Sequence, residues 1–216
     1  MNVDKNIVTI LSIDPGLSTF GWAFSEYDRT ISKLSIVKYG NYCPARLAER
    51  KEFDHDVRLY GHRIMSLCVA RIEIDYLYKS FRPDFVCCED AFFNRFRPTA
   101  YAALLQWITT IELFLKDKYK QQLYKMSPKA IKHAIGKGDS DKAQVLKNVL
   151  SNKQMEFKND ESKLIEHEWD ACACGWAFSK TVLPDLLKKI NRIQEDFEEG
   201  YEANGFRDTL GEYSDL

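Results

Sequence analysis

The sequence predicts an α/β fold with a mixed sheet, and three observations carry that expectation. Residues 7–13 are an apolar run that reads as a buried strand, closed by the turn signal Asp14-Pro15-Gly16. Two more strand-like runs, 21–25 and 31–39, follow with only the polar turn Asp28-Arg29-Thr30 between them. Beyond residue 50, apolar residues at helical spacing alternate with short apolar runs, the layout of sheet and crossover helices. With 216 residues, 45% hydrophobic and 13% aromatic, the chain can bury one sizeable core.

Each later element has its own signal. Val57, Tyr60, Ile64, Leu67, Cys68, Ile74, Leu77 and Phe81 recur as on one long helix, which Arg82-Pro83-Asp84 ends. Phe85-Val86-Cys87-Cys88 is a short buried strand that delivers Glu89. Residues 99–116 read as a helix apolar on most of its circumference, and 122–126 as a fifth strand. Ser127-Pro128 is a helix start, with a capping hydroxyl before proline at the first helical position. The loop Gly136-Lys137-Gly138-Asp139-Ser140 precedes a helix over 141–150. Residues 151–162 are polar and read as a flexible connection, 165–179 as a helix, and Pro184 opens the last one. The expected organisation is a domain over 1–183 and a helical, acidic extension over 184–216.

Composition narrows the function classes. No stretch approaches the roughly 18 apolar residues of a membrane span, and the first apolar run is too short for a signal peptide. The six cysteines lack zinc-site spacing and read as reduced, buried thiols of a cytoplasmic protein. The net charge of −1 is uneven, since residues 191–216 carry −6 and leave +5 on residues 1–190. A basic body suits a polyanionic partner.

Chemistry converges at one expected place. Parallel strands ending in Asp14 and Glu89 put both carboxylates at the carboxyl edge of the sheet, where α/β proteins bind ligands. His167 and Asp170, three apart on a helix, share a face, as do Glu166 and Asp170, while Glu168 points elsewhere. Ala171, Ala173, Gly175 and Ala177 would let that helix lie close to the sheet. Two carboxylates about 4 Å apart repel by about 4 kcal/mol at an effective dielectric near 20. Three together call for a cation, and hard oxygen donors with one imidazole suit magnesium or manganese. Two such ions can clamp the attacking and leaving oxygens of a phosphodiester.

These residues carry a family resemblance. Ile13-Asp14-Pro15-Gly16 with Gly21, Cys88-Glu89-Asp90-Ala91-Phe92, and His167-Glu168-Trp169-Asp170-Ala171 resemble, in order, the three acidic motifs of the RuvC family of Holliday-junction resolvases. Lys132 and Lys142, flanking the Gly-x-Gly loop, are similar to two functional lysines of that family. The resemblance covers roughly residues 7–180. It implies a ribonuclease-H-like fold with a five-stranded mixed sheet and helices on both faces. It also implies a homodimer that nicks four-way DNA junctions symmetrically, in a bacterial or phage-infected cell. Asp14, Glu89, His167 and Asp170 are the expected catalytic and metal-binding residues, holding two magnesium or manganese ions per site. Most family members have aspartate at the position of His167, some histidine, and Glu166 is the alternative ligand. Phe92, Phe93 and Arg95, with Phe96 and Arg97 beside them, are candidates to meet unpaired bases. Lys129, Lys132, Lys137 and Lys142 are candidates for phosphate contact. The helix over 99–116 is either the dimer face or a fully buried core helix. No small-molecule cofactor is expected. The alternative functions are a junction-binding module with altered catalysis, or a nuclease for other branched DNA or structured RNA.

Overall fold

The computed structural model describes residues 6–203 apart from 17, 94, 96 and 97, with the side chains of 194–203 excepted. Strands β1 (Ile7–Asp14), β2 (Phe20–Asp28) and β3 (Lys33–Tyr42) form an antiparallel meander. Strand β4 (Phe85–Glu89) lies parallel to β1, and β5 (Leu123–Met126) parallel to β4. The order is β5-β4-β1-β2-β3-β6. The sixth strand, β6 (Met155–Phe157), corrects the expected count of five. It lies within the stretch read as a flexible connection, and three residues are too few to display alternation. It exists because the edge of β3 accepts it, pairing Leu34 with Met155 and Ile36 with Phe157.

Helices cover both faces. On one, α3 (His62–Phe81) and α4 (Pro98–Tyr119) bury Leu11, Ile13, Phe20 and Trp22 of the sheet under Ile74, Leu77, Trp107 and Ile111. The periodic segment expected as one helix is two, because Gly61 takes φ +83 between α2 (Asp54–Tyr60) and α3. That conformation favours glycine and ends a helix. A short helix α1 (Pro44–Ala48) packs beside them. On the other face lie α5 (Pro128–Ile135), α6 (Lys142–Ser151), α7 (Glu166–Thr181) and α8 (Leu183–Ala203). Leu183 and Leu187 are buried in that second core, so α8 begins inside it. The acidic residues 204–216 lie outside the described residues. No helix among the described residues is long and apolar enough to cross a membrane.

One close approach fixes the site. A Cβ on Gly21 would stand 1.9 Å from the backbone oxygen of His167, and one on Gly175 2.8 Å from Ser12 Oγ. Gly21 is the register partner of Asp14. The first turn of α7 therefore rests on β2 directly beside the end of β1, at a distance only glycine permits.

Candidate active site

Parallel pairing places Ile13 opposite Cys88, so the next residue on each strand, Asp14 and Glu89, emerges at the same sheet edge. The α7 helix brings His167 and Asp170 to that edge from above. Its start is secured by Glu168, which is buried and turned away from the acids. Glu168 accepts a 2.9 Å hydrogen bond from the Ile165 amide and a 2.8 Å bond from Asn41 Nδ2 on β3. The Trp176 indole donates to the Ala134 carbonyl at 3.1 Å and ties α7 to α5. Ser127 caps α5 and Asp141 caps α6, so Lys132 and Lys142 face the same opening.

Asp14, Glu89, His167, Asp170, Lys132, Lys142 and Glu166 all line one cavity of roughly 910 Å³. His167 Nδ1 lies 2.6 Å from Asp14 Oδ2, so the imidazole is the group beside the first carboxylate. Glu166, at the same cavity, is engaged by Lys142 rather than by the acids. The electrostatics are those of crowded acids without a cation. Burial, then the charges of Asp14 and Asp170, push the Glu89 carboxyl up to about 8. Burial and Asp14 push Asp170 up to about 6, against the nearby Lys142, His167 and Lys132. The hydrogen bond to Asp14 raises the His167 imidazole above its ordinary value.

The donor set fits a hard divalent cation: the carboxylates of Asp14, Glu89 and Asp170, the last two pushed up by burial and by the charge of Asp14, and one imidazole. Among the described residues, no three such side chains already surround a single point in cation-holding geometry. They ring the cavity instead, with Asp14 engaged by His167.

The remaining candidates separate. Phe92 is 70% exposed and lines the cavity; Phe93, 59% exposed, meets Tyr101 edge-on at 5.4 Å and stands outside the lining. Arg95 is exposed in the loop before α4, while Phe96 and Arg97 lie outside the described residues. Lys129 and Lys137 are exposed on α5 and the glycine loop, beyond the cavity wall. Sequence reasoning missed Ser18 and Thr19 in the cavity lining and an apolar stretch of it, Ala100, Ala103 and Leu104. That stretch comes from the first turns of α4, where alanine and leucine carry no chemical signal of a site.

Carboxylates at the ends of two parallel strands, joined by one from a helix laid across the sheet, form a candidate active site on a ribonuclease-H-like fold. The fold agrees: the chain superimposes on Thermus thermophilus RuvC in complex with Holliday junction substrate. The TM-score is 0.60 at 18% identity, covering 80% of this chain and 93% of that one. In sequence it is 25% identical over 162 residues to the crossover junction endodeoxyribonuclease RuvC of Alkaliphilus metalliredigens, covering 70% of this chain and 84% of that protein. It is 27% identical over 145 residues to the RuvC of Finegoldia magna, covering 65% and 76%. No protein-family model matches the chain. In fold and in sequence the chain is similar to RuvC resolvases.

Proposed function

We infer that this protein is a structure-specific endonuclease that resolves four-way DNA junctions by paired nicks. One observation carries the reading: Asp14, Glu89, Asp170 and His167 share a cavity with Lys132 and Lys142 on a RuvC-like fold. Crowded acids hold a cation and the lysines hold the polyanion that brings the scissile phosphate to it. Asp14, Glu89, Asp170 and His167 would hold magnesium or manganese, two ions per centre, which would supply charge neutralisation at the attacking and leaving oxygens.

The chain's own residues do the rest. His167, hydrogen-bonded to Asp14, orients that carboxylate and can carry a proton at Nδ1 or Nε2. Lys132 and Lys142 offset the acids' charge at the approach to the cavity. Phe92 at the rim is positioned to stack on an unpaired base. Lys129, Lys137 and Arg95 extend the cationic track along the strand.

One centre can reach one scissile phosphate, so paired nicks call for a homodimer whose two-fold axis matches the junction's. Its interface is the open side of α4, where Leu105 and Leu113 are exposed while Trp107, Ile108, Ile111 and Leu115 face the core. The helix thus serves both the core and the dimer. The protein acts in the cytoplasm, where its DNA substrate resides.

The test is cleavage of a synthetic four-way junction in magnesium, with linear duplex, flap DNA and hairpin RNA as comparators. Paired nicks in the junction alone, abolished by Asp14→Asn with binding retained, are the expected result. Binding without cleavage in either metal would replace the enzyme with a junction-binding module. Equal cutting of the comparators would move the substrate class.

A further inference from the structure

Glu166 and Lys142 open two different helices beside the acids. Glu166 is the first residue of α7 and Lys142 the first of α6, and they form an ion pair at the cavity. A carboxylate at a helix start is favoured by the helix dipole, so Glu166 alone would need no further account. Lys142 has no such account, because a cation at the same position of α6 is disfavoured. Its charge instead reaches Glu89 and Asp170, where it offsets part of the rise in both carboxyls. We propose that Glu166 is a positioning residue acting through Lys142. It occupies the ammonium in the free protein and yields it to the DNA phosphate that enters the cavity. This deepens the reading of the site as a junction resolvase and rests on it.

The physical case is competition for one cation. Lys142 carries its N–H donors on a flexible stem, and a carboxylate oxygen or a phosphodiester oxygen can accept from them equally well. The pair is open to water, with the lysine side chain 72% exposed and the glutamate 42%. An exposed pair of this kind is weak enough to open when a phosphate arrives. Its opening still has a cost, and the released Glu166 then faces the phosphate with the same sign of charge. Lys129 and Lys137 lie beyond the cavity, so DNA bound along them leaves the pair closed. Glu166 therefore acts on the seating of a phosphate at the acids rather than on backbone binding in general. The same contact separates Glu166 from the ligand set of Asp14, Glu89, Asp170 and His167.

The experiment follows cutting of a synthetic four-way junction in magnesium against concentration of the full chain, giving a half-saturation point and a maximal rate. Glu166→Gln keeps the shape of the side chain and removes its charge. It should lower the half-saturating concentration by about two- to fivefold, the range of an exposed ion pair, with the maximal rate within about twofold of wild type. In the Lys142→Gln background the same change should lose most of that gain, because the contested cation is gone. Glu166→Asp keeps the charge and should behave as wild type. The magnesium concentration that half-activates cutting should be the same in Glu166→Gln as in wild type. An equal gain with and without Lys142, or a half-saturating concentration that does not fall, overturns the competition. A raised magnesium requirement in Glu166→Gln makes Glu166 a metal ligand and overturns it as well. These outcomes leave the resolvase reading intact. A wild-type protein that cuts no four-way junction overturns that reading and the competition with it.

Discussion

His167 Nδ1 and Asp14 Oδ2 stand 2.6 Å apart, joining the first turn of α7 to the end of β1 across 153 residues of chain. The contact closes the acid cluster on the side where most of the RuvC-like pattern would carry another carboxylate. It supplies a positive or neutral partner to Asp14 in place of a further negative charge. Replacing His167 with Ala should free the Asp14 carboxylate to rotate and lower junction cleavage by about 10–100-fold, as loss of an orienting partner does. Junction affinity should change little. His167→Asp keeps a ligand there and should retain most activity in magnesium. Wild-type cleavage rates in His167→Ala would show that the imidazole does no work in the site.

The acid cluster sets a pH dependence for the metal-free protein. Glu89, held near 8 when folded, binds a proton that the unfolded chain has released, across the interval between its ordinary value near 4.5 and about 8. The folded state binds more protons there, so stability falls as pH rises through that window. Asp170, near 6, adds to the fall between about 4 and 6. His167, raised by Asp14, contributes stability that is present at low pH and lost as pH rises through its folded value, the same direction. Thermal melts in chelator should give a lower Tm at pH 8 than at pH 5.5, and Glu89→Gln should flatten the difference. Magnesium binding at pH 7 should release protons, read as a buffer-dependent heat. A Tm that rises from pH 5.5 to 8 in chelator would contradict the crowding.

Gly21 is the geometric hinge of the site. A methyl group there meets the His167 carbonyl, which is backbone and cannot rotate away. Gly21→Ala should lift the start of α7, with a stability loss of about 1–3 kcal/mol by denaturant unfolding and a larger loss of cleavage. Glu168→Ala acts on the same turn by another route. It leaves the Ile165 amide and Asn41 without their acceptor and should cost about 1–3 kcal/mol. Normal cleavage by Gly21→Ala would mean that α7 tolerates displacement.

The order of motifs exposed the acid cluster because strand ends and helix faces are local properties. Ile13 to Asp14 and Cys88 to Glu89 each end an apolar run, and parallel pairing then needs no further information to join them. His167 and Asp170 share a helix face by spacing alone. What the sequence hid depends on distant partners. Met155–Phe157 becomes a strand only because β3 offers an edge, and the helical period over 57–81 runs through Gly61 without showing the break. The apolar stretch of the cavity lining was illegible for a third reason: Ala100, Ala103 and Leu104 have the same pattern whether they face core, partner or substrate.

The lysines divide by position. Lys132 and Lys142 line the cavity, whereas Lys129 and Lys137 are exposed beyond it. Each one that neutralises a phosphate releases a counterion, so its removal should reduce the slope of log affinity against log salt by about 1. Lys129→Gln and Lys137→Gln should do this with little effect on the rate at saturating junction. Lys132→Gln and Lys142→Gln should also slow cutting, since they offset the charge on Glu89. Fluorescence anisotropy over a salt series separates the two groups, and an unchanged slope in all four variants would remove this surface from the DNA path.

The open side of α4 makes the last prediction. Leu105 and Leu113 are exposed there, and on neighbouring α3, which Arg71 joins to Phe114 and Asp75 to Lys118, so are Ile72 and Tyr76. A two-fold dimer uses the same patch on both copies, so one charge introduced into it appears twice and faces its own image. Leu105→Glu or Leu113→Glu should leave the monomer's stability within about 0.5 kcal/mol, because these side chains are already in water there. The same changes should shift the protein to monomer in sedimentation velocity. Cutting should then pass from paired to single nicks on a supercoiled cruciform, because the second centre no longer arrives with the first. Variants that sediment as dimers and still make paired nicks would place the interface on another face.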